Sequence, residues 1–201
     1  MSFTIIGLTG PTGAGKTTVL HVLEGMGAAV LDADAIYHDL TVSCQPMREE
    51  LQGRFGPDIY DAQGVLQRQA LGAKVFGDPQ ALEDLNAITH RYIHLEIQRL
   101  LAKAQADGKQ VAVVDAIALI ESGLADTCQV TVAVVAGPET RTRRIMARDG
   151  IDEAYARKRV KAQKPVSFFE RHCQYTLHND GDDPGQLKKQ ATALFDRILH
   201  R

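Results

Sequence analysis

The chain is poor in cysteine. Its 201 residues hold three, Cys44, Cys128 and Cys173, far apart in sequence. An odd count without paired spacing offers neither a disulfide framework nor a zinc signature, and it fits a reducing, cytoplasmic setting. Long apolar runs are missing too, so no segment of the sequence reads as a membrane span. Nor is there an excess of charge of one sign. Lysine and arginine number 23 against 25 acidic residues, and a net charge of −2 argues against a dedicated nucleic-acid binder. Repeats and low-complexity tracts are absent, and the N-terminus enters a strand pattern directly, so a signal peptide is not expected. What remains is a globular chain, 44% hydrophobic, long enough for one large core or a core with a small subdomain.

The most informative segment is Gly10-Pro-Thr-Gly-Ala-Gly-Lys-Thr17, a complete G-x-x-x-x-G-K-[ST] loop. It follows the apolar run Ile5-Ile6-Gly7-Leu8 and precedes Thr18-Val19-Leu20-His21-Val22-Leu23, which reads as the first turns of a helix. Strand, loop and helix in that order are the context the motif requires. Glycines let the backbone curl round a phosphate chain, and a helix N-terminus adds partial positive charge. Lys16 is placed to reach terminal phosphates, and the Thr17 hydroxyl to ligate Mg²⁺.

Strand and helix patterns alternate, which predicts an α/β protein with a parallel sheet. Expected strands are Thr4–Leu8, Ala28–Leu31, Gln110–Asp115, Gln129–Val135 and, more weakly patterned, Tyr175–His178. Between the second and third lies a stretch with no strand pattern. It holds helical segments at Pro46–Phe55, Leu66–Phe76 and about Pro79 to Asp107, the last with Leu82, Leu85, Ile88, Tyr92, Ile93, Ile97, Leu100 and Leu101 at helical spacing. Such an insertion suggests a substrate-binding subdomain over the sheet's carboxyl edge, where ligands of open α/β sheets bind. A second helix-rich segment runs from Pro138 to about Gln163, and a final helix carries Leu187, Ala191, Leu194, Phe195 and Ile198 on one face.

Several residues carry chemistry in this frame. Asp32 and Asp34 close the second strand, on the same side if the strand continues that far. Either could hold Mg²⁺ through water or orient an attacking hydroxyl, and either could simply cap the next helix, expected over Ala35–Leu40. Asp115 ends an apolar strand, as a Mg²⁺-binding aspartate would, or as a turn or cap residue would. Arg141, Arg143, Arg144 and Arg148 share one helix, with Arg144 and Arg148 on one face. Lid arginines of this kind could clamp a transferring phosphoryl group. The basic run Arg157, Lys158, Arg159, Lys161 and Lys164 is expected mostly to be a solvated face. Asn179-Asp180-Gly181 reads as a turn, or as the loop beside an adenine ring.

With these motifs in order, the chain resembles the dephospho-coenzyme A kinases from Ile6 to about Gly181. The matching segments are Asp32-Ala33-Asp34, Phe55-Gly56, Leu66 to Leu71 with Arg68, Val75 to Pro79, Leu85 to His90, Leu119 to Leu124 with Glu121, Arg144 to Gly150, Gln163, and Asn179 to Gly181. The resemblance implies a three-layer P-loop NTPase with a five-stranded parallel sheet, a helical acceptor-binding insertion and a helical lid. On that scheme 1–35, 108–137 and 172–201 form the core, 36–107 the insertion and 138–171 the lid. It implies ATP and Mg²⁺, and dephospho-CoA as acceptor of a phosphoryl group on its ribose 3′-hydroxyl, in a cytoplasmic monomer or weak homo-oligomer without nucleic-acid or membrane partners.

By the same resemblance Asp34 orients the acceptor, with a possible part in holding Mg²⁺. Lys16 clamps phosphate, and Thr17 ligates Mg²⁺. Gly10, Gly13, Ala14, Gly15, Lys16, Thr17 and Thr18 surround the nucleotide with Arg144, Arg148 and Asn179, and Arg144 joins Asp34 and Lys16 as catalytic. Arg68 and His90 fall in the acceptor region, as binding residues or as helix contacts. Arg91, Ile117, Phe169 and Gln174 depart from the family pattern, which bears on acceptor fit and on part of the lid. A kinase for another nucleoside, nucleotide or small alcohol, or a nucleotide-binding switch, shares the loop but not the later motifs.

Overall fold

The computed structural model describes residues 3–181 and 183–199. Five strands, β1 (Thr4–Thr9), β2 (Ala29–Asp32), β3 (Val111–Asp115), β4 (Val130–Val135) and β5 (Tyr175–His178), form one sheet in the order β2-β3-β1-β4-β5. β1 lies between β3 and β4 and runs parallel to both, with Leu8 opposite Asp115 on one side and Val132 on the other. β5 runs parallel to β4. The central strands are buried on both faces and so read as near-continuous apolar runs rather than alternating ones. Chain leaving β1 passes to β2 on one side while β4 lies on the other, so the carboxyl end of β1 is a switch point where a crevice forms.

Contacts divide the chain into two compact units, Met1–Leu31 with Ala104–Arg201, and Asp32–Lys103. In the first, alternate residues of β4 face opposite layers. Val132 and Val134 join Ile6, Leu8 and Val113 against α1 (Lys16–Gly25) and α9 (Pro184–Leu199), whose Leu187, Ala191, Leu194 and Phe195 are buried as the sequence predicts. Ala133 and Val135 face the other way, onto Phe169 of α8 (Val166–His172). The helix-rich segment expected from Pro138 to about Gln163 holds two helices, α6 (Pro138–Asp149) and α7 (Glu153–Lys161). Gly150 breaks it with a left-handed φ of 65°, and Asp152 restarts it by accepting from the Tyr155 amide at 2.8 Å.

The second unit is helical: α2 (Ala33–Ser43), α3 (Gln45–Phe55), α4 (Arg68–Val75) and most of α5 (Pro79–Ala106). Met47, Leu51, Phe55, Ile59 and Leu71 form its core. Leu82, expected in the apolar stripe of α5, is instead 47% exposed, and Ala81 beside it is buried. α2 starts two residues earlier than expected because Asp32 caps it. One Asp32 oxygen accepts from the amides of Asp34 at 2.8 Å and Ala35 at 3.0 Å. β2 therefore ends at Asp32, Asp34 lies in the first turn of α2, and strand alternation does not relate the two carboxylates.

Among the described residues no helix is long and apolar enough to cross a membrane.

Candidate active site

The loop leaving β1 is shaped by glycine where no other residue fits. At Gly10 φ is +143°, and a Cβ would stand 2.1 Å from the Val134 carbonyl oxygen. At Gly15 φ is +103°, and a Cβ would meet the Asn179 amide nitrogen at 2.4 Å. Gly15 delivers the chain into α1, which has no side-chain cap at its N-terminus. That end carries the positive end of the helix dipole and amides suited to an anion.

A cavity of about 360 Å³ opens at this point. Gly10, Gly13, Gly15, Lys16, Thr17, Asp115, Arg144 and Arg148 all line it. Ala14 and Thr18 do not. Their amides close turns within the loop itself, onto the carbonyls of Pro11 at 3.2 Å and Gly15 at 3.0 Å. The Lys16 ammonium is paired with the Asp115 carboxylate, both side chains largely shielded from solvent. Asp115 thus closes β3 as a partner of the loop lysine. The β1–β3 register sets it beside Leu8 at the loop's base, where it is the counterion of the loop lysine. A phosphate in the cavity would compete with it for that ammonium. Thr17 is exposed on the first turn of α1.

Arg144 straps two loops together through three carbonyls. Its guanidinium donates to the carbonyls of Asn179 at 2.9 Å, Gly181 at 2.6 Å and Gly13 at 3.3 Å. Asn179 in turn donates through its side-chain amide to the Ala14 carbonyl at 2.7 Å. The 179–181 turn is therefore fastened to the phosphate loop from both ends. Arg148, one turn further along α6, is engaged with Asp149 at 2.6 Å. With Arg159 added, the two guanidiniums hold the Asp149 carboxyl down at about 2.

Arg144→Ala is accordingly expected to lower kcat/KM for ATP by about 100-fold, the scale of losing one preorganised donor. Arg148→Ala, whose charge is already answered by Asp149, should cost under about 10-fold. Equal losses in steady-state kinetics would contradict this division.

A family model described as dephospho-CoA kinase matches residues 4–184. The chain belongs to the dephospho-CoA kinase family. A protein of Corynebacterium diphtheriae named dephospho-CoA kinase is 39% identical over 194 residues, 96% of each chain. One of Corynebacterium efficiens with the same name is 37% identical over 196 residues, 98% of each chain. A crystal structure of a Thermus thermophilus protein superposes with a TM-score of 0.80 at 30% identity, covering 98% of this chain and 99% of the other. The five-stranded parallel sheet and its helical layers are thus the P-loop kinase fold.

The departures from the dephospho-CoA kinase pattern find local partners. Arg91 donates to Glu50, which also accepts from the Tyr92 hydroxyl at 2.7 Å, and α5 runs on unbroken here because arginine keeps the backbone N–H that proline lacks. Phe169, in place of a lysine, fills the layer beneath β4 at 3% exposure. Gln174 exchanges two hydrogen bonds of 3.1 Å with Thr131 and so ties β5 to β4. Ile117 is half-exposed at the rim of the phosphate-loop cavity, its carbonyl accepting from the Thr9 hydroxyl at 3.0 Å.

Three of the expected site residues belong to the second unit. Asp34 is exposed, and its carboxylate makes no hydrogen bond to the described residues. Arg68 opens α4 and places one guanidinium nitrogen 3.0 and 3.4 Å from the two ring nitrogens of His38. His90 is half-buried in α5, and burial lowers its pKa, helped by the nearby His94.

Arg141, expected with Arg143, Arg144 and Arg148 as one of the arginines of a lid helix, reaches the loop itself: it is 4% exposed and donates to the Thr12 carbonyl at 2.9 Å. Burial pulls its pKa down. The usable signal was position: Arg141 falls in the first turn of the helix that faces Gly13, where a Cβ would touch the Arg141 backbone at 3.0 Å.

Proposed function

We propose that this chain transfers the γ-phosphoryl group of ATP to the ribose 3′-hydroxyl of dephospho-CoA, the last step of coenzyme A synthesis. The observation that carries the phosphoryl-transfer half is the loop cavity, where Lys16, a glycine-shaped backbone and two α6 arginines converge. The acceptor half rests on family membership across residues 4–184.

The loop and the α1 N-terminus bind the phosphates, and Lys16 stabilises charge on the transferring group. Arg144 holds the 179–181 turn and presents positive charge to the nucleotide. Asn179 lies in the turn that would neighbour adenine. In the second unit Asp34 orients the acceptor hydroxyl and takes its proton late, as a loose transition state requires. Arg68 and His90 serve the acceptor.

The residues present fit Mg²⁺. Thr17 offers an exposed hydroxyl and Asp115 a carboxylate in the same cavity. That is the sparse protein contribution expected of an ion held mainly by phosphates and water. When bound, Mg²⁺ supplies charge neutralisation between the phosphates. The cytoplasm is the compartment proposed, with dephospho-CoA as the partner molecule and a monomer or weak homo-oligomer as the working state.

The test measures ADP release from Mg²⁺-ATP with and without dephospho-CoA, with mass spectrometry of the product. A gain of one phosphate on dephospho-CoA that depends on Mg²⁺ is the expected result. Phosphorylation of a different nucleoside or alcohol, with none of dephospho-CoA, would overturn the acceptor assignment and leave the loop chemistry intact.

A further inference from the structure

Thr12 is the third residue of the phosphate loop, and all three of its polar groups are held by two side chains far away in sequence. Its amide donates to Gln163 Oε1 at 3.0 Å, its hydroxyl accepts from Gln163 Nε2 at 2.8 Å, and its carbonyl accepts from Arg141 Nε at 2.9 Å. The ring closes through Arg141, which also donates to Gln163 Oε1. The amide of Gln163 has one satisfactory orientation here. Flipping it would set an NH₂ group against the Thr12 amide and the guanidinium, three donors facing one another. Arg141 has no carboxylate partner in this ring, and its charge is spent on holding a loop carbonyl and a glutamine.

The surroundings make these hydrogen bonds the main link. Gln163 lines a cavity of about 670 Å³ between α6, α7 and α8, and it also lines a second of about 210 Å³ that reaches Pro11 and Ile117. A side chain with a cavity on either side receives little support from packing. Gln163 stands just past the C-terminal end of α7, so it joins the chain between α7 and α8 to the phosphate loop.

We propose that Gln163 and Arg141 are positioning residues for nucleotide binding, fixing the phosphate loop through Thr12. They touch the loop and not the reacting atoms. With the Thr12 amide and carbonyl both fixed, the next peptide, at Gly13, is presented to the cavity in one orientation. Without the clamp the loop samples others, and phosphate binding weakens by the fraction of time it spends in them.

The inference rests on the loop being the ATP site, and its test uses equilibrium binding so that acceptor identity does not enter. ATP affinity of the full-length protein is measured by calorimetry for wild type, Gln163→Leu, Gln163→Glu and Thr12→Val, with melting temperatures alongside. Gln163→Leu is near in size and has cavity space on both sides. It should weaken ATP binding by about 10- to 100-fold. Gln163→Glu offers a carboxylate to the two donors that Gln163 Oε1 already serves, Thr12 N and Arg141, and its second oxygen can accept from the Thr12 hydroxyl once that hydroxyl turns to donate, so it should return affinity to within about threefold of wild type. Thr12→Val keeps the amide and carbonyl bonds, so its loss should be smaller than that of Gln163→Leu. If Gln163→Leu binds ATP within twofold of wild type, or Gln163→Glu is as weak as Gln163→Leu, the clamp does not position the loop. Should Gln163→Leu fail to fold, Thr12→Val against Gln163→Glu decides the matter. A several-fold loss in Thr12→Val with affinity kept in Gln163→Glu supports the clamp, and the reverse overturns it. A wild type that binds ATP but leaves dephospho-CoA unmodified would refute the proposed acceptor without touching this result.

Discussion

Lys16→Ala should lower kcat by about 10²–10³-fold and destabilise the fold in the same stroke. The two effects have different origins and can be separated. The catalytic loss comes from removing a fixed positive charge from a cavity where negative charge redistributes during phosphoryl transfer. The stability loss comes from Asp115. Its side chain is 9% exposed against 17% for Lys16, so the alanine variant leaves a shielded carboxylate without its counterion. Breaking a shielded pair from one side costs about 3 kcal/mol, less where the cavity admits water. In a chain of this length that is a fall in Tm of about 6–12 °C. Adding Asp115→Asn to Lys16→Ala removes the stranded charge. The double variant should recover most of the lost Tm and none of the lost turnover. A double variant that melts no higher than Lys16→Ala would show that the ion pair is not the source of the instability. A Lys16→Ala enzyme retaining a tenth of wild-type kcat would remove Lys16 from the catalytic machinery.

The loop was legible in the sequence because its chemistry is local. Gly10, Gly15, Lys16 and Thr17 are close in sequence, and the φ values of +143° and +103° at the two glycines are what such spacing encodes. The strands were legible because buried parallel strands are apolar runs, and each expected strand overlaps its counterpart with ends shifted by a residue or so. What stayed hidden depends on contacts across long separations. Arg141 and Lys158 are alike on a charge plot, yet one is buried against Thr12, 129 residues away, and the other lies in the last turn of α7. Whether Asp32 or Asp34 would cap α2 was undecidable from pattern, since either can accept from amides two and three residues on. The turn at Asp32 settled it. Phe169 reads as a lost lid lysine until β4 is seen above it. The stretch from Pro138 to about Gln163 was legible as helix-rich, but its division into two helices at Gly150 was not drawn from the sequence.

The acceptor side gives the second large effect. Asp34→Asn should reduce kcat by about 10²–10⁴-fold, the range for a positioned general base, and leave ATP affinity within about twofold. The competing account of Asp34 is that it is a first-turn carboxylate whose negative charge complements the α2 dipole. That role is worth about 0.3–1 kcal/mol at an exposed site and carries no catalytic consequence. Asp32 supplies the control, since it is the residue that caps the helix. Asp32→Asn retains a capping oxygen and should be nearly silent. Asp32→Ala should cost about 1 kcal/mol of stability with kcat unchanged. The pattern to look for is therefore crossed: stability falls at Asp32 and turnover falls at Asp34. If Asp34→Asn turns over at the wild-type rate, the helix-dipole account is right, and the acceptor hydroxyl must be oriented by another group.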